Sequence, residues 1–152
     1  MIKEERVQMV VAFLIHWGHV LLIRKNRPDW QKGLLNGVGG KVEAGESPLD
    51  AIRREVREET GLRIVPEYFH KVVEYYGQGV SGVPYVVYFY AALDVPIEQA
   101  EAMTDEALET HPVYPLPPDT IPNLRWLIPL VLDNRLQTPI VIHDHFVDGD
   151  KG

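Results

Sequence analysis

The sequence predicts an α/β fold from three observations: two apolar, β-branched segments at the start of the chain, a well-capped helix following them, and further strands with a second helix after that. At 152 residues the chain is the size of one domain, read here as 1–152. A composition of 45% hydrophobic and 24% charged residues is that of a folded globular protein.

The elements follow in order. "RVQMVVAFLIHWGHVLLIRKNRP" reads as two strands turned by "HWGH". The Gly-rich "KGLLNGVGGKVEAGE" comes next, and Gly37, Gly39 and Gly40 permit backbone approaches that a side chain would block. The helix starts at Ser47 as N-cap, with Pro48 in its first position and Asp50 in its first turn, and Gly61 stops it. Leu49, Ile52 and Val56 form its buried stripe, with Glu55, Glu58 and Glu59 expected beside that stripe.

"RIVPEYFHKVVEYYGQG" and "VPYVVYFYAALDV" read as strands joined by "GQGVSG". The acidic, proline-rich stretch 96–122 reads as loop and short strand. "NLRWLIPLVLDNRL" reads as a helix with Asn123 as its cap and Trp126, Leu127 and Leu130 on one face, in which Pro129 should cause a kink or a break. "TPIVIHDHF" reads as a last strand.

Several function classes are disfavoured. A net charge of −7 argues against an extended DNA or RNA footprint. The longest apolar runs, "VVAFLI" and "WLIPLVL", are too short to span a membrane, and "MIKEERVQMV" has no signal-peptide core. The absence of cysteine excludes a disulfide frame and a thiolate site, so a cytoplasmic protein is expected. A small polyphosphate stays compatible with the acidity, because a divalent cation can stand between carboxylates and phosphates.

"REVREETG" carries the chemistry. Glu55, Glu58 and Glu59 lie three and four positions apart, where like charges repel, and near a helix C-terminus that favours cations. A hard divalent cation would resolve both conflicts. A solvated acidic face is the plainer alternative.

The surrounding residues favour the cation. Gly40, five residues, Glu46, seven residues, Arg54-Glu55-Val56, then Glu58-Glu59 and Gly61-Leu62 match every fixed position of the Nudix box. The stretch "GKVEAGESPLDAIRREVREETGL", about a seventh of the chain, therefore resembles the Nudix hydrolases. The resemblance implies an α/β/α sandwich with a mixed sheet and a catalytic loop–helix–loop.

It also implies roles. Glu55, Glu58 and Glu59 would bind Mg²⁺, with Mn²⁺ as a substitute, and the Gly40 carbonyl would add a ligand. Glu55 would also help deprotonate the attacking water, Arg54 would orient Glu55, and Glu46 would pair with Arg54 to hold the loop on the helix. For the further acid that the family often places outside the box, the choice is Glu106 in "TDEAL", with Asp105, Glu101 and Glu98 as rivals.

At the substrate end, Asn36 in "NGVGGK" resembles a base-approaching asparagine of MutT-type members, although Leu35 stands where a Trp is often found. Asn-Gly is equally a turn pair. Asn123 in "PPDTIPNLRWL" could read a base edge, with Asp119 nearby. Lys41 and Arg24 match phosphate-contacting positions, Lys25 and Arg27 competing with the latter. Tyr75 and Tyr76 fall near a tyrosine diagnostic of dinucleoside-polyphosphate hydrolases, yet read as strand core. His143 and His145 flanking Asp144 read as surface residues.

The expected activity is Mg²⁺-dependent hydrolysis of a nucleoside triphosphate, oxidised or unusual purines included, to monophosphate and pyrophosphate. The alternatives are another nucleoside diphosphate derivative as substrate, or a nucleotide-sensing domain without turnover. The expected partner is a nucleotide alone, with no nucleic-acid polymer and no membrane, and the protein a monomer or homodimer.

Overall fold

The computed structural model describes residues 5–79 and 81–144. Strands β1 (Val7–His16) and β2 (His19–Arg24) form a hairpin. Its two turn residues, Trp17 and Gly18, have φ of 51° and 71°, the left-handed pair that matches the twist of a tight hairpin. Strands β3 (Leu35–Asn36) and β4 (Val38–Lys41) lead to helix α1 (Pro48–Thr60). Then come β5 (His70–Gln78), β6 (Pro84–Leu93), β7 (Leu108–Pro112), α2 (Leu124–Leu132) and β8 (Ile140–His143).

The strands make one mixed sheet in the order β3-β2-β1-β6-β5-β8, with β4 also on β1 and β7 on β2. β1 pairs parallel with β6, and β5 with β8; the remaining pairs are antiparallel. β1 is buried on both faces, which explains its unbroken apolar run. Alternation sends Val10, Ala12 and Leu14 toward Ala51, Ile52 and Val56 of α1, and Val11, Phe13 and Ile15 toward Leu124, Leu127 and Ile128 of α2. The result is the expected α/β/α layering. Among the described residues, no helix is long and apolar enough to cross a membrane.

The local signals of α1 hold. Ser47 Oγ accepts from the Asp50 amide at 3.1 Å, and Gly61 closes the helix in the left-handed conformation at φ 74°. One expectation needs correction: Glu59 is not beside the buried stripe but in it, 8% exposed, next to Ile52 and Val56 at 0% and 1%.

Four other differences have physical causes. The Gly-rich stretch contains β3 and β4 because its glycines let it lie flush on β1; a Cβ at Gly39 would stand 1.9 Å from the Val10 carbonyl oxygen. The strand expected from Arg63 begins only at His70, after a 3₁₀ turn at Pro66–Tyr68. Pro129 neither breaks α2 nor ends it. Burying Leu124, Leu127 and Ile128 completely, at about 1.5–3 kcal/mol each, outweighs the roughly 3 kcal/mol cost of an interior proline. Trp126 does not share that face: it is 42% exposed and lies near Tyr75.

Candidate active site

Arg54 joins the loop to the helix. Its Nε and Nη2 donate to the two Glu46 oxygens at 2.7 and 3.0 Å, a fork geometry that fixes the plane of the guanidinium. Nη2 also donates to the Lys41 carbonyl at 2.9 Å, and Nη1 to Glu55 at 2.8 Å and Glu58 at 3.2 Å. Arg54 and Glu46 are each about 15% exposed, so this is a part-buried network and not a surface pair. It holds the Glu46 carboxyl below the usual carboxylate range and raises Arg54 further. Gly40 completes the corner, because a Cβ there would stand 2.5 Å from a Glu55 oxygen.

Glu59 is the electrostatic anomaly. Burial pushes its carboxyl up to about 8, Glu55 and Glu106 add to the shift, and Lys25 opposes it. Its Oε2 is buried with no hydrogen-bond partner. Such an orphaned oxygen, beside a second carboxylate that Arg54 aims, suits a divalent cation. Among the described residues no three acidic or histidine groups are yet arranged to hold one, and Glu58, 54% exposed, is engaged with Arg54.

Of the four acids weighed outside the box, the structure places Glu106 among these charges. It is 5% exposed, accepts from Lys25 Nζ at 3.2 Å and from the Asn26 amide, and acts on Glu59. Asp105 is paired with Arg27 instead, while Glu98 and Glu101 are exposed.

The expectation for Arg24 is corrected. Its guanidinium is taken up by both Glu109 oxygens, by Asp119 at 2.7 Å and by the Gly33 carbonyl at 2.9 Å. Lys25 is the cation beside the carboxylates. Alternation along β2 could have found it: Leu21 faces α1, so position 25 does also, whereas 24 follows Val20 and Leu22 to the α2 side. Lys41 is exposed, and its ammonium makes no hydrogen bond or ion pair among the described residues.

Asn36 and Asn123 belong to segments joined through the backbone at Leu35. Leu35 receives the Ile121 amide and donates to the Asp119 carbonyl, so 119–121 runs alongside β3. Asn36 Oδ1 accepts from the Gly37 amide at 2.7 Å, and its Nδ2 donates to buried Gln31 at 3.1 Å. Asn123 stands at the N-cap position of α2 yet makes no capping bond, so the plain-cap reading fails. Its Oδ1 and the Thr120 Oγ1 are buried without partners. Neither Gln31 nor Thr120 carried any local signal in the sequence.

Tyr75 and Tyr76 serve the β5–β8 edge: Tyr75 donates to Asp144, and Tyr76 stacks on His143. His145 lies outside the described residues.

Comparison with known proteins identifies the family. The chain is 35% identical over 127 residues to the CTP pyrophosphohydrolase of Escherichia coli, covering 78% of this chain and 88% of that protein. It is 39% identical over 64 residues to the oxidized purine nucleoside triphosphate hydrolase of Danio rerio, covering 42% of this chain and 39% of the relative. A MutT Nudix hydrolase structure from Burkholderia pseudomallei superposes with a TM-score of 0.71 at 22% identity, over 84% of this chain and 99% of the other. The family model described as the NUDIX domain matches residues 6–129, and the chain belongs to the Nudix hydrolases.

Proposed function

We propose that this protein hydrolyses a nucleoside triphosphate to the monophosphate and pyrophosphate with Mg²⁺ as its cofactor and Mn²⁺ as a substitute. The observation that carries the reading is the placement of Arg54-aimed Glu55 beside Glu59, whose buried Oε2 has no hydrogen-bond partner, with Glu106 and Lys25 next to them. Support for a triphosphate comes from the two relatives, both named for nucleoside triphosphates.

Glu55, Glu58, Glu59, Glu106 and the Gly40 carbonyl are the oxygen donors suited to the cation. When bound, it screens the phosphate charge and polarises a phosphoryl oxygen. Glu55 accepts the proton of the attacking water, and Arg54, fixed by Glu46, keeps that carboxylate aimed. Water adds to the phosphorus, the bridging P–O bond breaks, and the monophosphate and pyrophosphate leave with one proton released. Lys25 supplies fixed positive charge to the phosphate chain. Asn36 and Asn123, with Thr120, offer amide and hydroxyl groups to a base.

The test is release of pyrophosphate or phosphate across standard and oxidised (d)NTPs, ADP-ribose, nucleotide sugars and dinucleoside polyphosphates, with Mg²⁺ and with EDTA. A triphosphate should be preferred and its turnover abolished by EDTA, and Glu55→Gln should lower kcat by about 10²–10⁴-fold without unfolding the protein. Preference for a diphosphate derivative by orders of magnitude would overturn the substrate class. Nucleotide binding without any turnover would mean a sensor.

A further inference from the structure

The outer face of α1 carries a second charged feature, opposite in sign to the glutamates. Six of the nine arginines are engaged: Arg24, Arg27, Arg54 and Arg135 with carboxylates, Arg125 with carbonyls and Arg6 over the Tyr76 ring. The other three are Arg53, Arg57 and Arg63, and all three line one cavity of about 260 Å³. None of them has an ion pair or side-chain hydrogen bond among the described residues. Arg53 and Arg57 are one turn apart on the helix, where like charges repel, in a chain whose net charge is −7.

We propose that this cavity is an anion site for a small phosphate-type ligand: free pyrophosphate or the phosphate end of a nucleotide. Three guanidinium forks approach from a helix face and from the segment beyond Gly61, and a tetrahedral oxyanion has enough oxygens to take one fork from each. A carboxylate, with two oxygens, cannot satisfy all three. Ile64 and half-exposed Val65 also line the cavity, an apolar wall that strengthens charge pairing by reducing water contact. Arg54 borders it as well, but is already committed to Glu46 and Glu55. Asp50 is its one carboxylate, exposed and unpaired with the three arginines.

The site is independent of the proposed hydrolysis, and its test reads binding without turnover. Inorganic pyrophosphate is titrated calorimetrically into the full chain in EDTA, which removes any cation bridge to the glutamates. Saturable binding is expected, weakened at least about tenfold by Arg57→Ala and by Arg63→Ala, less by Arg57→Lys, and unchanged by Glu55→Gln. Arg63 lies outside the helix, so its variant separates loss of the site from loss of α1. Absence of pyrophosphate binding, or binding that both alanine variants retain, would overturn the proposal. Titration with AMP distinguishes the two sources: equal, arginine-dependent binding identifies a nucleotide phosphate end, and binding of pyrophosphate alone identifies the free anion.

Discussion

At the Arg54 corner every guanidinium nitrogen has an acceptor, whereas at the start of α2 the Thr120 hydroxyl and the Asn123 amide oxygen are buried with none. The first region resembles a folded core in its bonding: its geometry is set before any ligand arrives. The second keeps polar atoms dry and unanswered, at about 1–3 kcal/mol for each. Under the proposed function, that contrast separates two tasks. Chemistry common to a family demands a fixed carboxylate, and selection of one nucleotide demands groups that are satisfied only when that nucleotide is present.

Breaking the bonded corner should have the largest effect. Glu46→Ala frees Arg54 from its fork while leaving every carboxylate of the cluster in place. Its kcat is expected to fall about 10–100-fold with a small change in Tm, as removal of a ligand's supporting bond does. A loss confined to KM would show that Arg54 binds substrate and does not aim Glu55.

The unsatisfied region should answer in the opposite way. Asn123→Leu removes a buried acceptor that has no partner, so Tm should hold or rise by a few degrees. The ratio of kcat/KM between the preferred and the next nucleotide should fall by about tenfold. An unchanged ratio would remove Asn123 from substrate selection.

The smallest effect sharpens the link between the regions. Arg24 ties β2 to Glu109 on β7 and to Asp119, on the segment that carries Thr120. The Arg24 guanidinium, helped by His111, lowers the Glu109 carboxyl from 4.5 to about 2. Its stabilising contribution is therefore complete above pH 4.5 and fades as the pH falls from there toward 2. The stability difference between the wild type and Glu109→Gln, about 1 kcal/mol after solvent screening, should shrink across that window in urea melts. A difference independent of pH would mean that Glu109 acts through packing.

What could be read in advance divides along the same line. Ser47, Pro48 and Gly61 act within a few residues of themselves, so the bounds of α1 follow from local chemistry. Glu46 and Arg54 are eight positions apart and carry a recognisable spacing. By contrast, β3 and β4 exist because Gly37 and Gly39 meet β1, and nothing in their own composition signals a strand. Glu106 could not be separated from Asp105 until Lys25 and Arg27 chose between them across about 80 residues of chain. Asn123 looks like a cap in sequence, and only its helical backbone and dry oxygen show otherwise.

The parallel pairing of β1 with β6 has a consequence for the order in which the molecule can be assembled. It joins residues 7–15 to residues 85–93, so the centre of the sheet stays open until most of the chain exists. Helix α1 is made earlier, yet its seat includes Tyr90, Ala92, Val95 and Ile97. During synthesis the helix bearing Glu55, Glu58 and Glu59 therefore waits on a half-built floor. Buried Glu59 reaches its final environment only after the strand that follows it by some 25 residues has docked on the first.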